Sequence, residues 1–200
     1  MNTPKTLLEM AGAPRVVAQW EKAALLLIDP QMEYVTGGLP LSGIEAAISE
    51  CARLESLARQ AGAPIFHIVH HGRPGGALFN PEGQFVGIIP QLAPVGAESI
   101  LVKNLPNAFA GTELDQLLRA TGRKQVVIAG FATHMCISAT TRSALDHGYA
   151  ATVVAAACAT RDLPNPLGGI VPAATVHQAT LAALADRFAT VVPAASAWKD

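Results

Sequence analysis

The segment KQVVIAGFATHMCISATTRSALDHG (residues 124–148) carries the pattern that decides the fold. Its first part, residues 124–130, contains an uninterrupted apolar run, as expected for a strand that is covered on both faces of a sheet. From about Met135 to His147 the spacing of apolar residues predicts a helix that ends before a glycine. A strand followed directly by a helix is the building unit of an α/β protein.

The same alternation of short apolar runs and helix-period segments extends from this segment toward both ends of the chain. Further strands are predicted at residues 23–28, 64–69, 99–102, 151–156 and 189–192. Further helices are predicted from residue 44 to near Gly62, from the N-cap Thr112 to about residue 120, and at about residues 174–187. Crossover connections make such a sheet mostly parallel. We therefore predict an α/β fold, a three-layer α/β/α sandwich with a six-stranded, mostly parallel, Rossmann-like sheet. It forms a single domain over residues 1–200 with an N-terminal extension at 1–20.

The composition excludes several classes of protein. Half of the 200 residues are hydrophobic and 14% are charged, which excludes an intrinsically disordered chain. A net charge of −1 gives no electrostatic attraction to nucleic acid or to an anionic membrane, and no apolar stretch approaches the ~18–20 residues of a membrane span. Three cysteines are too few for a disulfide framework, so we expect a reducing, cytoplasmic location. A mean hydropathy of +0.33 with so few charges predicts a homo-oligomer.

Ligands of open α/β sheets bind beyond the carboxyl ends of the strands, where three unlike chemical groups meet in this sequence. Asp29 follows the first predicted strand, Lys103 follows the third, and Cys136 lies near the start of the helix after the fourth. We expect the helix N-terminus to lower the pKa of Cys136 below ~8.5, and Lys103 to lower the pKa of Asp29. Structural roles remain open: a turn cap for Asp29, an edge-strand charge for Lys103, core packing for Cys136. Cys51 and Cys158 lie in apolar patterns and are predicted to be inert.

Three blocks around these residues resemble the isochorismatase-like cysteine hydrolase family, which includes nicotinamidases and N-carbamoylsarcosine amidohydrolases. The blocks are LLLIDPQMEY (25–34), LVKNLPNAFAGTELDQLL (101–118) and VVIAGFATHMCISATTRSALDHGYAATVV (126–154). The Asp, Lys and Cys stand in the order that the family uses, 74 and 33 residues apart. The resemblance implies a six-stranded parallel sheet between helix layers, in agreement with the strand count.

The resemblance also implies an Asp–Lys–Cys catalytic triad. Asp29 would accept the thiol proton of Cys136 as a general base, and Lys103 would keep Asp29 ionised. The thiolate would attack a small-molecule amide, expel ammonia or an amine, and leave a thioester that water hydrolyses. The family has a cis peptide at the position of Phe131–Ala132, which would direct the N–H groups of Ala132 and Cys136 at the oxyanion. No cofactor or metal ion is implied.

Several other sites are conceivable but less well supported by the sequence. The run HIVHH (67–71) contains metal-ligand types, but the segment after the first strand lacks the Asp-x-His with which the nicotinamidase metal cluster begins. We expect His70 or His71 to contact substrate at the pocket rim instead. His134 lies two residues before Cys136, an awkward approach for a general base. No G-x-G-x-x-G pattern occurs, which argues against a dinucleotide site.

The sequence leaves the substrate open. Tyr34 and Phe109 match positions where the family often places pocket aromatics, and core packing is the alternative for both. The long loop 71–98 is predicted to cover the site. The alternatives to amide hydrolysis are vinyl ether hydrolysis of the isochorismatase type, whose enzymes lack the cysteine at this position, and a non-catalytic interaction module.

Overall fold

The computed structural model describes residues 3–198. The strands are β1 (Ala23–Ile28), β2 (Ile65–His70), β3 (Ser99–Lys103), β4 (Gln125–Phe131), β5 (Ala150–Ala159), β6 (Leu163–Pro164), β7 (Ile170–Val171) and β8 (Ala189–Val192). The α-helices are α1 (Leu7–Met10), α2 (Ile44–Gln60), α3 (Leu114–Ala120), α4 (Ser138–Asp146) and α5 (Ala173–Arg187). Within the described range, no helix combines the length and the apolar character needed to cross a membrane.

Six strands form one parallel sheet in the order β3-β2-β1-β4-β5-β8, which confirms the predicted fold class. The predicted strands match the observed ones apart from a few residues at their ends. β6 and β7 pair separately as an antiparallel hairpin that the sequence did not predict, because strands of two residues carry no periodic signal.

Residues of β1 alternate between two apolar cores, one on each face of the sheet. Leu25 and Leu27 pack in the core formed with α2, which includes Leu54. Leu26 lies in the opposite core, formed with α3, α4 and α5, which includes Leu184. All five of these side chains are fully buried. Each contributes roughly 1.5–3 kcal/mol of hydrophobic stabilisation, so burial on both faces of β1 fixes the central strand that ends at Asp29.

Gly130, at the end of β4, allows this strand to lie against the end of β1. It pairs in register with Ile28 and has a φ of +116°, a conformation that side chains rarely adopt. A Cβ atom at this position would overlap the backbone of Ile28. The glycine therefore sets the close approach of the two chain segments that carry Asp29 and Cys136.

Two helices begin later than the sequence pattern predicts. Residues Thr133–Ile137 form a π-helical turn, so that α4 starts at Ser138 rather than near Met135. α3 starts at Leu114 with Glu113 at the N-cap position, one residue later than predicted from an N-cap at Thr112. The Thr112 hydroxyl nevertheless accepts the Leu114 N–H at 3.2 Å. Cys136 consequently lies in the turn before α4 and not within its first α-helical turn.

The N-terminal segment, predicted as an extension, is described from residue 3 onward; Met1 and Asn2 lie outside the described residues. The Leu7 N–H donates to Asp186 of α5 at 2.8 Å, and the Ala18 N–H donates to the Thr152 hydroxyl of β5 at 2.9 Å. The described part of this segment therefore packs against the domain at both of its ends.

Candidate active site

The carboxyl ends of β1, β3 and β4 bring Asp29, Lys103 and Cys136 together. The Lys103 ammonium donates to Asp29 Oδ2 at 2.9 Å and to Cys136 Sγ at 3.4 Å. The side chains of Asp29 and Lys103 are completely buried. A buried charge is costly unless it is paired and hydrogen-bonded, and here the ammonium is shared between the carboxylate and the sulfur.

Asp29 is placed as an acceptor for the thiol proton. Burial raises the pKa of its carboxyl group, while the Lys103 charge and the Cys136 thiol act in the opposite direction and lower that pKa. Oδ1 is buried and has no hydrogen-bond partner in the part of the chain that the structure describes. The carboxylate thus has one oxygen committed to Lys103 and one free to take a proton.

Cys136 differs from the expectation based on a helix N-terminus. Cys136 is 5% exposed, and burial together with the neighbouring Asp29 carboxylate raises the pKa of its thiol, so the expected lowering is wrong. The physical reason is that desolvation and a nearby negative charge both disfavour a thiolate, and that α4 begins two residues further on. The resting group is therefore a thiol, and it would become a nucleophile only on loss of its proton to a nearby base. The preceding Phe131–Ala132 peptide is cis.

A cavity of about 340 Å³ opens onto Cys136. Its walls are mostly apolar, with a few polar groups and one guanidinium. The lining residues are Tyr34, Leu39, Leu41, His70, Phe79, Asn104, Pro106, Ala132, His134, Met135, Cys136 and Arg161. An apolar cavity with a few polar groups in its wall is typical of a site for a small molecule.

Tyr34 lies in the cavity wall, where the sequence placed it. Its ring packs edge-on against Phe79 and Phe131, with ring centroids at 5.2 and 5.9 Å. Burial raises the pKa of its phenol, which therefore stays protonated and offers a donor or an acceptor beside Cys136.

The placement of Phe109 at the pocket is corrected by the structure. Phe109 is 7% exposed and belongs to the core between the sheet, α3, α4 and α5. Its ring stacks on His147 at 4.5 Å and on Tyr149 at 5.9 Å, and it does not line the cavity. The apolar Phe109 ring is buried in this stack, and Phe79 of the loop 71–98 lines the cavity instead.

The histidines fall into different environments. His67 is buried and bonds Glu98 at 2.9 Å, whereas His70 lines the cavity, and His71 does not. Within residues 3–198, no group of three or more His, Cys, Asp or Glu side chains has a metal-binding arrangement. His134 lines the cavity, but its Nδ1 bonds the Thr160 hydroxyl at 2.6 Å rather than the Cys136 thiol.

Sequence reasoning missed Glu33, which holds the cavity walls in place. Its buried carboxylate accepts the Gly38 N–H at 2.6 Å and the Phe79 N–H at 2.9 Å. These bonds tie the segment after β1 to the loop 71–98 and position Phe79. A glutamate five residues after the end of a buried strand is the sequence signal that could have identified it. Arg161 was also missed, since a charged residue after a strand is common on protein surfaces.

The other two cysteines lie away from these groups. The Cys51 thiol donates to the Ala157 carbonyl oxygen at 3.3 Å, and burial raises its pKa. Burial also raises the pKa of Cys158, to about 12. Neither residue lines the cavity that contains Cys136.

Comparison with known proteins gives consistent matches over most of the chain. The family model "Isochorismatase domain" matches residues 23–196. The crystal structure of an isochorismatase from Pseudomonas putida KT2440 is 41% identical with a TM-score of 0.92, over 97% of this chain and 99% of that chain. The isochorismatase family protein YddQ of Bacillus subtilis is 42% identical over 170 residues, which are 84% of this chain and 94% of the relative.

Three further relatives have names that state an activity. The secreted isochorismatase effector Isc1 of Verticillium dahliae is 35% identical over 183 residues, 92% of this chain and 94% of that protein. A streptothricin hydrolase of Streptomyces noursei is 32% identical over 187 residues, 92% of this chain and 73% of that protein. The maleamate amidohydrolase of Pseudomonas putida is 35% identical over 152 residues, 66% of this chain and 70% of that protein.

Proposed function

The chain belongs to the isochorismatase family, and on that premise we propose that it is a cysteine-dependent hydrolase that cleaves the C–N bond of a small-molecule amide. Asp29, Lys103 and Cys136 form the catalytic triad. The observation that carries the proposal is the shared Lys103 ammonium, bonded to Asp29 at 2.9 Å and to the Cys136 sulfur at 3.4 Å below a cavity. Relatives named as a maleamate amidohydrolase and a streptothricin hydrolase support hydrolysis in this branch of sequences.

The proposed cycle begins with transfer of the thiol proton of Cys136 to Asp29. The thiolate forms a C–S bond to the amide carbon, and the carbonyl electron pair moves onto oxygen, where the N–H groups of Ala132 and Cys136 stabilise it. Both residues line the cavity, which supports this placement. The tetrahedral intermediate collapses, the C–N bond breaks, and Asp29 returns the proton to the departing amine.

The second half of the cycle releases the acid. Asp29, again a carboxylate, takes a proton from water, whose oxygen attacks the thioester carbon. The C–S bond breaks, the acid leaves, and the Cys136 thiolate takes back from Asp29 the proton that came from water. The raised pKa of Asp29 suits this exchange, because the carboxyl group must hold a proton between the two transfers. Neither half uses a cofactor or a metal ion.

A panel of small amides tests the proposal directly. With the purified wild-type protein we expect ammonia release from maleamate, nicotinamide or a carbamoylated amino acid, or ring opening of a lactam, which is detected as a new primary amine. The expected rate is unchanged after dialysis against a chelator. The absence of ammonia release from the first three classes, together with the absence of lactam ring opening, would contradict amide hydrolysis.

A second candidate function is vinyl ether hydrolysis, which the name of the isochorismatase effector Isc1 favours. The two candidates are distinguished by alkylation of Cys136 with iodoacetamide, checked by mass spectrometry. An amidase loses its activity when the thiol is blocked, whereas an ether hydrolase that needs no nucleophile keeps activity toward isochorismate.

Arg161 gives the cavity its one guanidinium, and we expect it to select amides that carry a carboxylate. Arg161→Gln should raise the KM for maleamate about 10- to 100-fold, the effect of one hydrogen bond between charged groups, and should leave the KM for nicotinamide within about twofold. Arg53→Gln is the matched control, since Arg53 is exposed on α2. An equal rise in both KM values would indicate general damage to the cavity and contradict the selective role.

We also expect the protein to act as a homo-oligomer, at least a dimer. The free edge of the sheet supports this, because β3 exposes Ile100 and Val102 at 56% and 47%, with Val95 and Leu105 exposed nearby in sequence. Light scattering coupled to size exclusion should give at least twice 20.7 kDa at micromolar concentration. A mass near that of one chain throughout this range would contradict the expectation.

A further inference from the structure

His70 touches the triad without belonging to it. It is the last residue of β2 and pairs in register with Lys103 of β3, so that both side chains leave the same end of the sheet. Its Nδ1 lies 3.2 Å from the Lys103 ammonium nitrogen. The imidazole also packs edge-on against Phe79, with ring centroids at 5.1 Å, and it lines the cavity beside Cys136.

The contact with Lys103 fixes which nitrogen of His70 carries the proton. An ammonium group only donates hydrogen bonds, so Nδ1 must be the unprotonated acceptor. In a neutral imidazole the proton then lies on Nε2. Burial and the Lys103 charge lower the pKa of His70 to about 4, so the ring is neutral at physiological pH.

The second nitrogen of His70 is left available. In the part of the chain that the structure describes, Nε2 makes no hydrogen bond and is not among the buried atoms that lack a partner. The ring does not need this nitrogen to stay in place, because Gln31 holds the His70 backbone through both its N–H, at 2.7 Å, and its carbonyl oxygen, at 2.9 Å.

We infer that His70 is a neutral, tautomer-fixed hydrogen-bond donor that binds an acceptor oxygen of the amide substrate from the Lys103 side of Cys136. The inference rests on the proposed hydrolase function and deepens it. Lys103 orients the imidazole through Nδ1, and Nε2–H faces the substrate. The substrates selected in this way carry a carbonyl, carboxylate or ureido oxygen besides the bond that is cleaved. At physiological pH a neutral donor recognises such an oxygen without adding a second positive charge next to Lys103.

The tautomer is measured independently of catalysis by nitrogen NMR of the wild-type protein labelled with ¹⁵N-histidine. The His70 signals are identified by their loss in His70→Gln. We expect one protonated and one unprotonated ring nitrogen, with the proton on Nε2, unchanged between pH 5.5 and 8. A doubly protonated ring at pH 7, or a proton on Nδ1, would overturn the inference.

Two amide substitutions separate the roles of the two nitrogens. The side chain of His70→Asn reaches the Nδ1 position and keeps an acceptor for Lys103, whereas that of His70→Gln reaches the Nε2 position and keeps a donor toward the cavity. For the amide that the wild-type protein hydrolyses fastest, we expect kcat/KM to fall about tenfold in His70→Asn, as for one lost hydrogen bond, and to recover to within about threefold in His70→Gln. His71→Asn is the matched control, since His71 does not line the cavity.

If kcat/KM falls in His70→Gln as far as in His70→Asn, or further, the donor role of His70 is wrong. His70 would then only support Lys103. The failure of the proposed function gives a different result. If Cys136→Ala still hydrolyses the amide, the assignment of the catalytic triad is wrong, whereas the tautomer of His70 measured by NMR is unaffected. If the wild-type protein hydrolyses no amide, both the proposed hydrolase function and the contact between His70 and an amide substrate are wrong.

Discussion

Replacing Cys136 with alanine is expected to reduce amide turnover at least about 10³-fold, to the limit of detection. The Cys136 sulfur is the atom that bonds to the acyl group in the intermediate. Among the described residues that line the cavity, Cys136 is the only cysteine. Cys136→Ser should be equally inactive, because a hydroxyl is far harder to deprotonate than a thiol. Ammonia release under saturating substrate measures both variants, and circular dichroism checks that they fold.

Cys158→Ala is the matched control for Cys136→Ala. Cys158 is also a buried cysteine, and it lies on β5 away from the cavity that Cys136 lines. We expect this variant to keep wild-type kcat within about twofold. If Cys136→Ala kept more than a few per cent of the wild-type rate, the nucleophile assignment would be wrong.

Replacing Lys103 with methionine is expected to damage both catalysis and stability. The substitution leaves the Asp29 carboxylate buried without its partner, a change that typically costs about 3–5 kcal/mol. We expect kcat/KM to fall about 10²- to 10³-fold, since the ammonium also contacts the Cys136 sulfur. Denaturant unfolding and steady-state kinetics measure the two effects on one protein.

The pH dependence of Lys103→Met distinguishes an electrostatic partner from a structural lysine. Lys103 lowers the pKa of Asp29 against the effect of burial, so its removal should raise that pKa further and move the acid limb of the rate profile to higher pH. In the variant the folded state then binds more protons than the unfolded state from about pH 4 upward. Its free energy of unfolding should therefore fall as the pH rises through that window.

Lys103→Arg provides the comparison for that pH profile. It keeps the positive charge with a different geometry, so the acid limb should move less than in Lys103→Met while kcat still falls. An acid limb that stays in place in Lys103→Met would contradict the role assigned to this residue.

The central sheet could be predicted because its strands are continuous apolar runs. β1 and β8 were predicted to the residue, and the other main strands within a few residues, since strands covered on both faces leave no polar positions to confuse the pattern. Asp29 and Lys103 lie at the same end of the sheet because the carboxyl ends of parallel strands all lie there. The three sequence blocks around these two residues and Cys136 resemble the isochorismatase-like family, and the family match over residues 23–196 confirms that resemblance.

The cavity walls could not be predicted in the same way. Phe79 and Phe109 are both aromatic residues in irregular segments. The Glu33 carboxylate, which accepts the Phe79 N–H at 2.9 Å, holds Phe79 at the cavity, whereas Phe109 stacks on His147 and Tyr149 in the core. The pKa of Cys136 also depends on tertiary contacts. A helix N-terminus was expected to lower it, but burial and Asp29 raise it, and neither effect is visible in the local sequence.

The covalent intermediate on Cys136 is the direct test of the proposed mechanism. Turnover of the best amide is stopped with acid at successive times, and the peptide that contains Cys136 is analysed by mass spectrometry. We predict an adduct on Cys136 with the mass of the substrate minus ammonia, which appears within the first turnover and disappears when the substrate is exhausted. A Cys136 peptide that stays unmodified at every time while ammonia is released, or an adduct on another residue, would contradict the mechanism.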